Sequence, residues 1–136
     1  MLGEKDLNPF GFHKWNKKRR LPTMISPVII TDKLKPKYVL GSGGSNRIRS
    51  ANTQVILNLL FNNMSLEEAI SCPRIHLEEN TLFYEPGIQL PYEKLNNIKT
   101  TSFDQKNLFF GGVNAVSSNE AIGDERRGGV GIVVKK

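Results

Sequence analysis

The 136-residue chain has one cysteine, Cys72, so it can hold neither an internal disulfide nor a cysteine-rich zinc site. Its two histidines, His13 and His76, have no partner four residues away, which leaves no metal-ligand spacing. Structural or surface roles suit both better. No apolar run approaches the roughly 18 residues that a bilayer span requires. The opening MLGEKDLNPF lacks the charged-then-apolar order of a signal peptide. Twelve glycines and seven prolines make the chain rich in turns, without a collagen-like period or a low-complexity tract. What is present is an ordinary apolar fraction of 38% and a formal net charge of +6. The length suits one modest domain with a real core.

Residues 1–25 read as an irregular basic segment and residues 26–136 as a folded part. The first stretch carries scattered Leu2, Leu7, Phe10, Phe12 and Trp15 with no helical or strand period. Its basic run, His13-Lys14-Trp15-Asn16-Lys17-Lys18-Arg19-Arg20, has a single interleaved aromatic and no accompanying nucleic-acid motif. It reads as a solvated face or, more selectively, as a segment that raises the local potential for an anionic substrate. An autonomous domain seldom begins with such a loop, so the chain looks like a piece of a larger object.

Residues 27–31 and 38–40 are β-branched or apolar runs around a turn, the pattern of a hairpin. Ile48, Ala51, Val55, Leu59 and Asn62 then recur at spacings of three and four, which predicts a helix ended by Asn62-Asn63. Ser65-Leu66-Glu67-Glu68 is a capping box for a short second helix ended by Pro73. Residues 74–77 and 81–84 predict a hairpin. Residues 91–96 predict a helical turn with Tyr92 and Leu95 inward. Residues 98–103, 108–110, 113–116 and 130–134 are strand candidates, with 119–124 as a connection between the last two. The order predicts an α+β fold, mostly antiparallel, with the helices on one face.

The loop Gly41-Ser42-Gly43-Gly44-Ser45-Asn46-Arg47 lies between a strand and a helix. Such a loop lets backbone approach a ligand and presents amides to a phosphate, a carboxylate or an oxyanion. It is neither a Walker loop nor a dinucleotide fingerprint, and spacing alone favours a tight strand-to-helix turn without a ligand. Arg126-Arg127 before Gly128-Gly129 is either a turn with an exposed ion pair or a guanidinium fork for a carboxylate. Cys72, before Pro73, reads as a small buried apolar residue.

Four segments in order resemble the γ-glutamyltransferase family. They are Lys18-Arg19-Arg20-Leu21-Pro22-Thr23-Met24-Ile25-Ser26-Pro27, Leu40-Gly41-Ser42-Gly43-Gly44-Ser45-Asn46-Arg47-Ile48, Cys72-Pro73-Arg74-Ile75-His76 and Asp124-Glu125-Arg126-Arg127-Gly128-Gly129. The resemblance implies the C-terminal part of an N-terminal-nucleophile hydrolase, an α+β αββα sandwich. It implies an enzyme whose nucleophile is the N-terminal threonine of a self-cleaved precursor, with that residue's α-amine as base. Thr23, Thr31, Thr53, Thr81, Thr100 and Thr101 are internal, so this chain alone is expected to be inactive.

By the same resemblance the amides of Gly44 and Ser45 stabilise the oxyanion. Thr23, Met24, Gly43, Asn46, Arg47, Arg126 and Arg127 fall at substrate-binding positions. Two adjacent serines that hold the glutamyl α-carboxylate in the family fall on Thr23 and Met24, so one hydroxyl is lost. The implied partners are the large subunit, the N-terminal part of the small subunit, and a γ-linked polyglutamate or γ-glutamyl peptide. No cofactor, metal, nucleic acid or membrane span is implied. The likeness leans towards the branch that processes poly-γ-glutamate capsule and transfers it to a cell-wall amine or water, outside the cell or at its surface. Glutathione hydrolysis is the near alternative. A non-catalytic anion-binding module is the alternative from another class, and it predicts salt-dependent nucleotide or nucleic-acid binding.

Overall fold

A computed structural model of the chain describes residues 4–16 and 18–134. Leu2 and Lys17 of the opening segment lie outside the described residues. Around them the segment is irregular, with one 3-10 turn at Lys5–Leu7. It is tied locally by Trp15 Nε1, which donates to Asn8 Oδ1 at 2.8 Å.

Two helices and eight strands follow in the order β1 (Val28–Asp32), β2 (Lys35–Gly43), α1 (Arg47–Leu60), α2 (Leu66–Ser71), β3 (Ile75–Glu78), β4 (Thr81–Tyr84), β5 (Lys99–Ser102), β6 (Gly112–Val116), β7 (Glu120–Ile122) and β8 (Gly131–Val133). Five strands form one antiparallel sheet in the order β1-β2-β6-β7-β8. A smaller sheet runs β3-β4-β5.

Strand alternation decides where the core sits. Leu40 on β2, Val113 and Ala115 on β6, and Ile122 on β7 are buried and meet Ala51, Val55 and Leu59 of α1 and Leu66, Ala69 and Ile70 of α2. Val28, Ile30 and Tyr38 pack against that cluster. The intervening residues Ile29, Val39, Val116 and Ile132 stay exposed on the opposite face of the sheet. That face is hollowed into an apolar groove of about 490 Å³. Helix α2, only six residues long, starts on the predicted capping box: the Ser65 side chain accepts from the Glu68 amide, and Glu68 Oε2 accepts from the Ser65 amide at 2.9 Å.

The structure corrects several expectations. Residues 108–110 are a 3-10 turn rather than a strand, started by Asn107 Oδ1 accepting from the Phe109 amide at 2.9 Å. Its aromatics join a cluster in which Phe109 meets His76, Phe83, Phe103 and Phe110. Residues 120–122, expected as connection, are β7. β5 pairs with β4 in parallel because the intervening stretch crosses back before pairing. Residues 92–94 do form a single turn, but Tyr92 is exposed, and its hydroxyl meets that of Tyr84 at 3.1 Å. Cys72 is half-buried rather than buried, with its thiol 3.6 Å from the Met64 sulfur.

Candidate functional site

Strand β2 delivers the glycine loop directly to the start of α1. Gly44 has φ +130°, and a Cβ there would stand 2.9 Å from Gly111 Cα, so only glycine fits. Ser45 follows in the left-handed region, with φ 56°, and Asn46 returns to right-handed with φ −56°. Such a reversal gathers successive amides into a concavity that suits an anion. The carbonyls of Gly44 and Ser45 accept from Arg47 and Ile48 at 3.1 Å each. The amides of Gly44, Ser45 and Asn46 donate to no acceptor among the described residues. Asn46 caps α1 without a side-chain bond to it, and the first turn carries no acidic residue. The carboxylates at this positive helix end come from outside the helix: Asp6 and Glu78 both accept from Asn46 Nδ2.

Two segments that are far apart in the chain meet here. The Ser45 hydroxyl lies 3.4 Å from the Met24 sulfur. Thr23, Met24, Asp6, Leu7 and Arg49 line an adjoining cavity of about 330 Å³. A second cavity, of about 260 Å³, shares Asp6 and Arg49 and is bounded by Asn46, His76, Glu78 and Glu79. Asn46 Nδ2 donates to Asp6 Oδ2 at 3.1 Å, which pins the opening segment to the loop.

The basic candidates divide by environment. The Arg47 guanidinium is held by Glu78 at 3.2 Å and lies over the Phe109 ring at 4.3 Å. Burial, and then Arg47, push the His76 imidazole below its ordinary value, so it is neutral near pH 7 and its 3.9 Å approach to Glu78 is not an ion pair there. Arg127 is exposed and lies against Gly43 and Gly112, where a Cβ on Gly112 would collide with its side chain.

Arg126 departs from the fork expectation. Its side chain is 0% exposed and is bound to Glu85 and to Asp124, the latter at 3.2 Å. It also donates to the carbonyls of Ile70 and Cys72. Every nitrogen of the guanidinium is thus engaged inside the protein, and Arg126 belongs to the scaffold. Sequence reasoning missed the rest of this cluster. Arg74 is buried and pairs with Asp124 at 2.7 Å, and its amide donates to Glu85 at 2.9 Å. The Val113 and Arg126 amides donate to Asp124 at 2.9 and 3.0 Å. Two guanidinium and two carboxylate groups balance, which is what allows them to be buried. Burial alone would raise the Asp124 carboxyl, but Arg74, the two amides and Arg126 hold it below its ordinary value. The signal was in the motifs: Arg74, Asp124 and Arg126 all sit in segments that carried the resemblance. Among the described residues no cluster of three or more potential metal ligands is found, and no helix is long and apolar enough to cross a membrane.

The family model for gamma-glutamyltranspeptidase matches residues 4–134. A glutathione hydrolase proenzyme of Pseudomonas aeruginosa is 28% identical over 126 residues, covering 86% of this chain and 23% of that protein. Among solved structures, gamma-glutamyltranspeptidase from Pseudomonas nitroreducens in complex with L-DON superposes with a TM-score of 0.69 at 29% identity, covering 89% of this chain and 67% of that one. The transpeptidase CapD of Bacillus anthracis superposes with a TM-score of 0.67 at 26% identity, covering 90% and 74%. The chain spans about a quarter or less of the curated relatives it matches.

Proposed function

This chain belongs to the gamma-glutamyltranspeptidase family, and from that premise we propose that it supplies the donor pocket and the oxyanion loop of a γ-glutamyl hydrolase/transpeptidase. One observation carries the reading. The unpaired amides of Gly44 and Ser45 stand beside the Met24 and Thr23 cavity, so one site can hold both a glutamyl head and a developing oxyanion.

In the proposed reaction a threonine hydroxyl from outside this chain attacks the γ-carbonyl carbon, and its proton passes to the threonine's own α-amine. The carbonyl oxygen, now negative, is held by the Gly44 and Ser45 amides. Collapse breaks the amide bond, the amine leaves with that proton, and an acyl-enzyme remains. Water or an acceptor amine then attacks the ester and releases the threonine. Thr23 and Arg127 would bind the donor's carboxylate, while Gly43 leaves room for the Arg127 guanidinium beside the loop. Asn46 and Arg47 act at one remove, holding Asp6 and Glu78 in place.

The proposed donor is a γ-linked polyglutamate, cut at or outside the cell surface and transferred to a cell-wall amine or to water. The likeness to CapD and the net charge of +6 support it. The relatives named glutathione hydrolase favour a second reading, with glutathione as the donor. To test the proposal, the chain is assembled with a large subunit and a complete small subunit, and end groups released from poly-γ-glutamate and from glutathione are followed. Release from the polymer supports the first reading and turnover of glutathione alone the second, while an inert assembly rejects both. Gly44→Ala, which forces a Cβ onto Gly111, should lower turnover roughly 100-fold while leaving the circular dichroism spectrum unchanged.

A further inference from the structure

Helix α1 has two working stripes. Its apolar stripe packs on the large sheet through Ala51, Val55 and Leu59. A polar stripe of Arg47, Ser50 and Gln54 recurs at spacings of three and four and meets β3. Arg47 holds Glu78 at 3.2 Å, Ser50 Oγ lies 2.7 Å from His76 Nδ1, and the Gln54 side chain exchanges two hydrogen bonds of 2.9 Å with the Ile75 backbone. Because β3 is the edge of its sheet, Gln54 satisfies backbone groups that no further strand reaches. The middle contact is the enclosed one, since His76 is buried and set edge-on to Phe109.

From His76 the bonding continues into the glycine loop. The Ser50 hydroxyl donates to the Arg47 carbonyl at 3.2 Å, so its oxygen accepts from His76 Nδ1–H. His76 Nε2 has no hydrogen-bond partner, so the one N–H of the neutral ring goes to Ser50. The same Arg47–Ile48 peptide group donates its N–H to the Ser45 carbonyl at 3.1 Å. The Ser45–Asn46 peptide then presents an N–H without an acceptor among the described residues. Imidazole, hydroxyl and two peptide groups thus donate in one direction, and such a series polarises its open end. Ser45 needs to be held: its φ of 56° is unfavourable for a residue with a Cβ.

We propose that His76 is a positioning residue for the oxyanion loop: through Ser50 and the Arg47–Ile48 peptide it holds the Ser45 carbonyl, and so keeps the Ser45 amide aimed at the reacting oxygen. The inference rests on the γ-glutamyl reading above and names the group that keeps that loop in its active shape. His76 touches no substrate in this scheme. Its effect falls on the transition state, because amide direction matters most where negative charge develops.

The test uses the assembled enzyme, a γ-glutamyl anilide as donor, and 15N labelling to follow the Ser45 and Asn46 amide signals. An asparagine amide overlays the Nδ1 end of an imidazole and a glutamine amide the Nε2 end, so two variants separate the Ser50 bond from the bulk of the ring. His76→Gln should lower kcat roughly 10-fold with KM unchanged, and should displace both amide signals. His76→Asn should recover most of that loss and return the signals. Ser50→Ala should match His76→Gln, and the double variant of Ser50→Ala with His76→Gln should lose no more than either alone. Unchanged kcat in His76→Gln, equal losses in His76→Asn and His76→Gln, or additive losses in the double variant would each overturn the proposal. If no form turns over the anilide while the amide signals still separate His76→Asn from His76→Gln, the acyl-transfer reading fails and the coupling of His76 to the loop stands. Inactivity with unmoved signals defeats both.

Discussion

Lys33 and Leu34 form the two-residue link of the β1–β2 hairpin with φ 46° and 66°. That turn favours an Asn-Gly pair, because side chains beyond Cβ are strained in the left-handed region. The double substitution Lys33→Asn with Leu34→Gly is expected to raise stability by about 1 kcal/mol, read as a higher denaturant midpoint. Asp124 lies at the other extreme of burial. Its carboxyl sits below its ordinary value in the folded protein, so its contribution is complete above the unfolded value of about 4 and is lost as pH falls through the folded one. Melting temperatures should therefore hold, on this account, from pH 7 down to about 4 and fall steeply below it. Asp124→Asn should flatten that dependence and cost about 3–5 kcal/mol at neutral pH, because it leaves Arg74 underpaired. A melting curve that is equally steep in the variant would count against the quartet as the acid-sensitive element. Residue identity alone could not separate Arg126 from Arg127. One side chain is enclosed and the other exposed, and only the turn at Asp124 decides which.

At the scale of elements, local chemistry carries far where it is strong. Helix α1 was legible because its apolar positions recur at helical spacing, and α2 because Ser65 and Glu68 can satisfy each other's backbone partners. Ser65→Ala should cost about 1 kcal/mol in a denaturant melt, since the Glu68 amide loses its acceptor. Three-residue runs are a different matter. Leu108, Phe109 and Phe110 have high strand propensity, yet Asn107 and Gly111 close them into a turn that feeds the aromatic cluster. Glu120 and Ala121 have weak strand propensity, yet β6 and β8 on either side recruit residues 120–122 as a strand. Such short segments take their conformation from their neighbours rather than from their own residues.

For the whole molecule, the five-stranded sheet is covered on one face by α1 and α2 and presents Ile29, Val39, Val116 and Ile132 on the other. The matched αββα architecture puts a second sheet against such a face. The chain by itself is thus expected to bind a hydrophobic dye strongly, and assembly with the complementary polypeptide should abolish that signal. Dye binding that survives assembly would place the second layer elsewhere. The sequence by itself determined the α+β class, the main helix, the cap, the glycine loop and the family, because each is written in contiguous residues or short ordered motifs. Tertiary packing alone brought Met24 to Ser45 and enclosed Arg74, Glu85, Asp124 and Arg126 together. Those outcomes depend on distances between residues remote in the chain, and on how much water each charge retains, which spacing along a sequence does not encode.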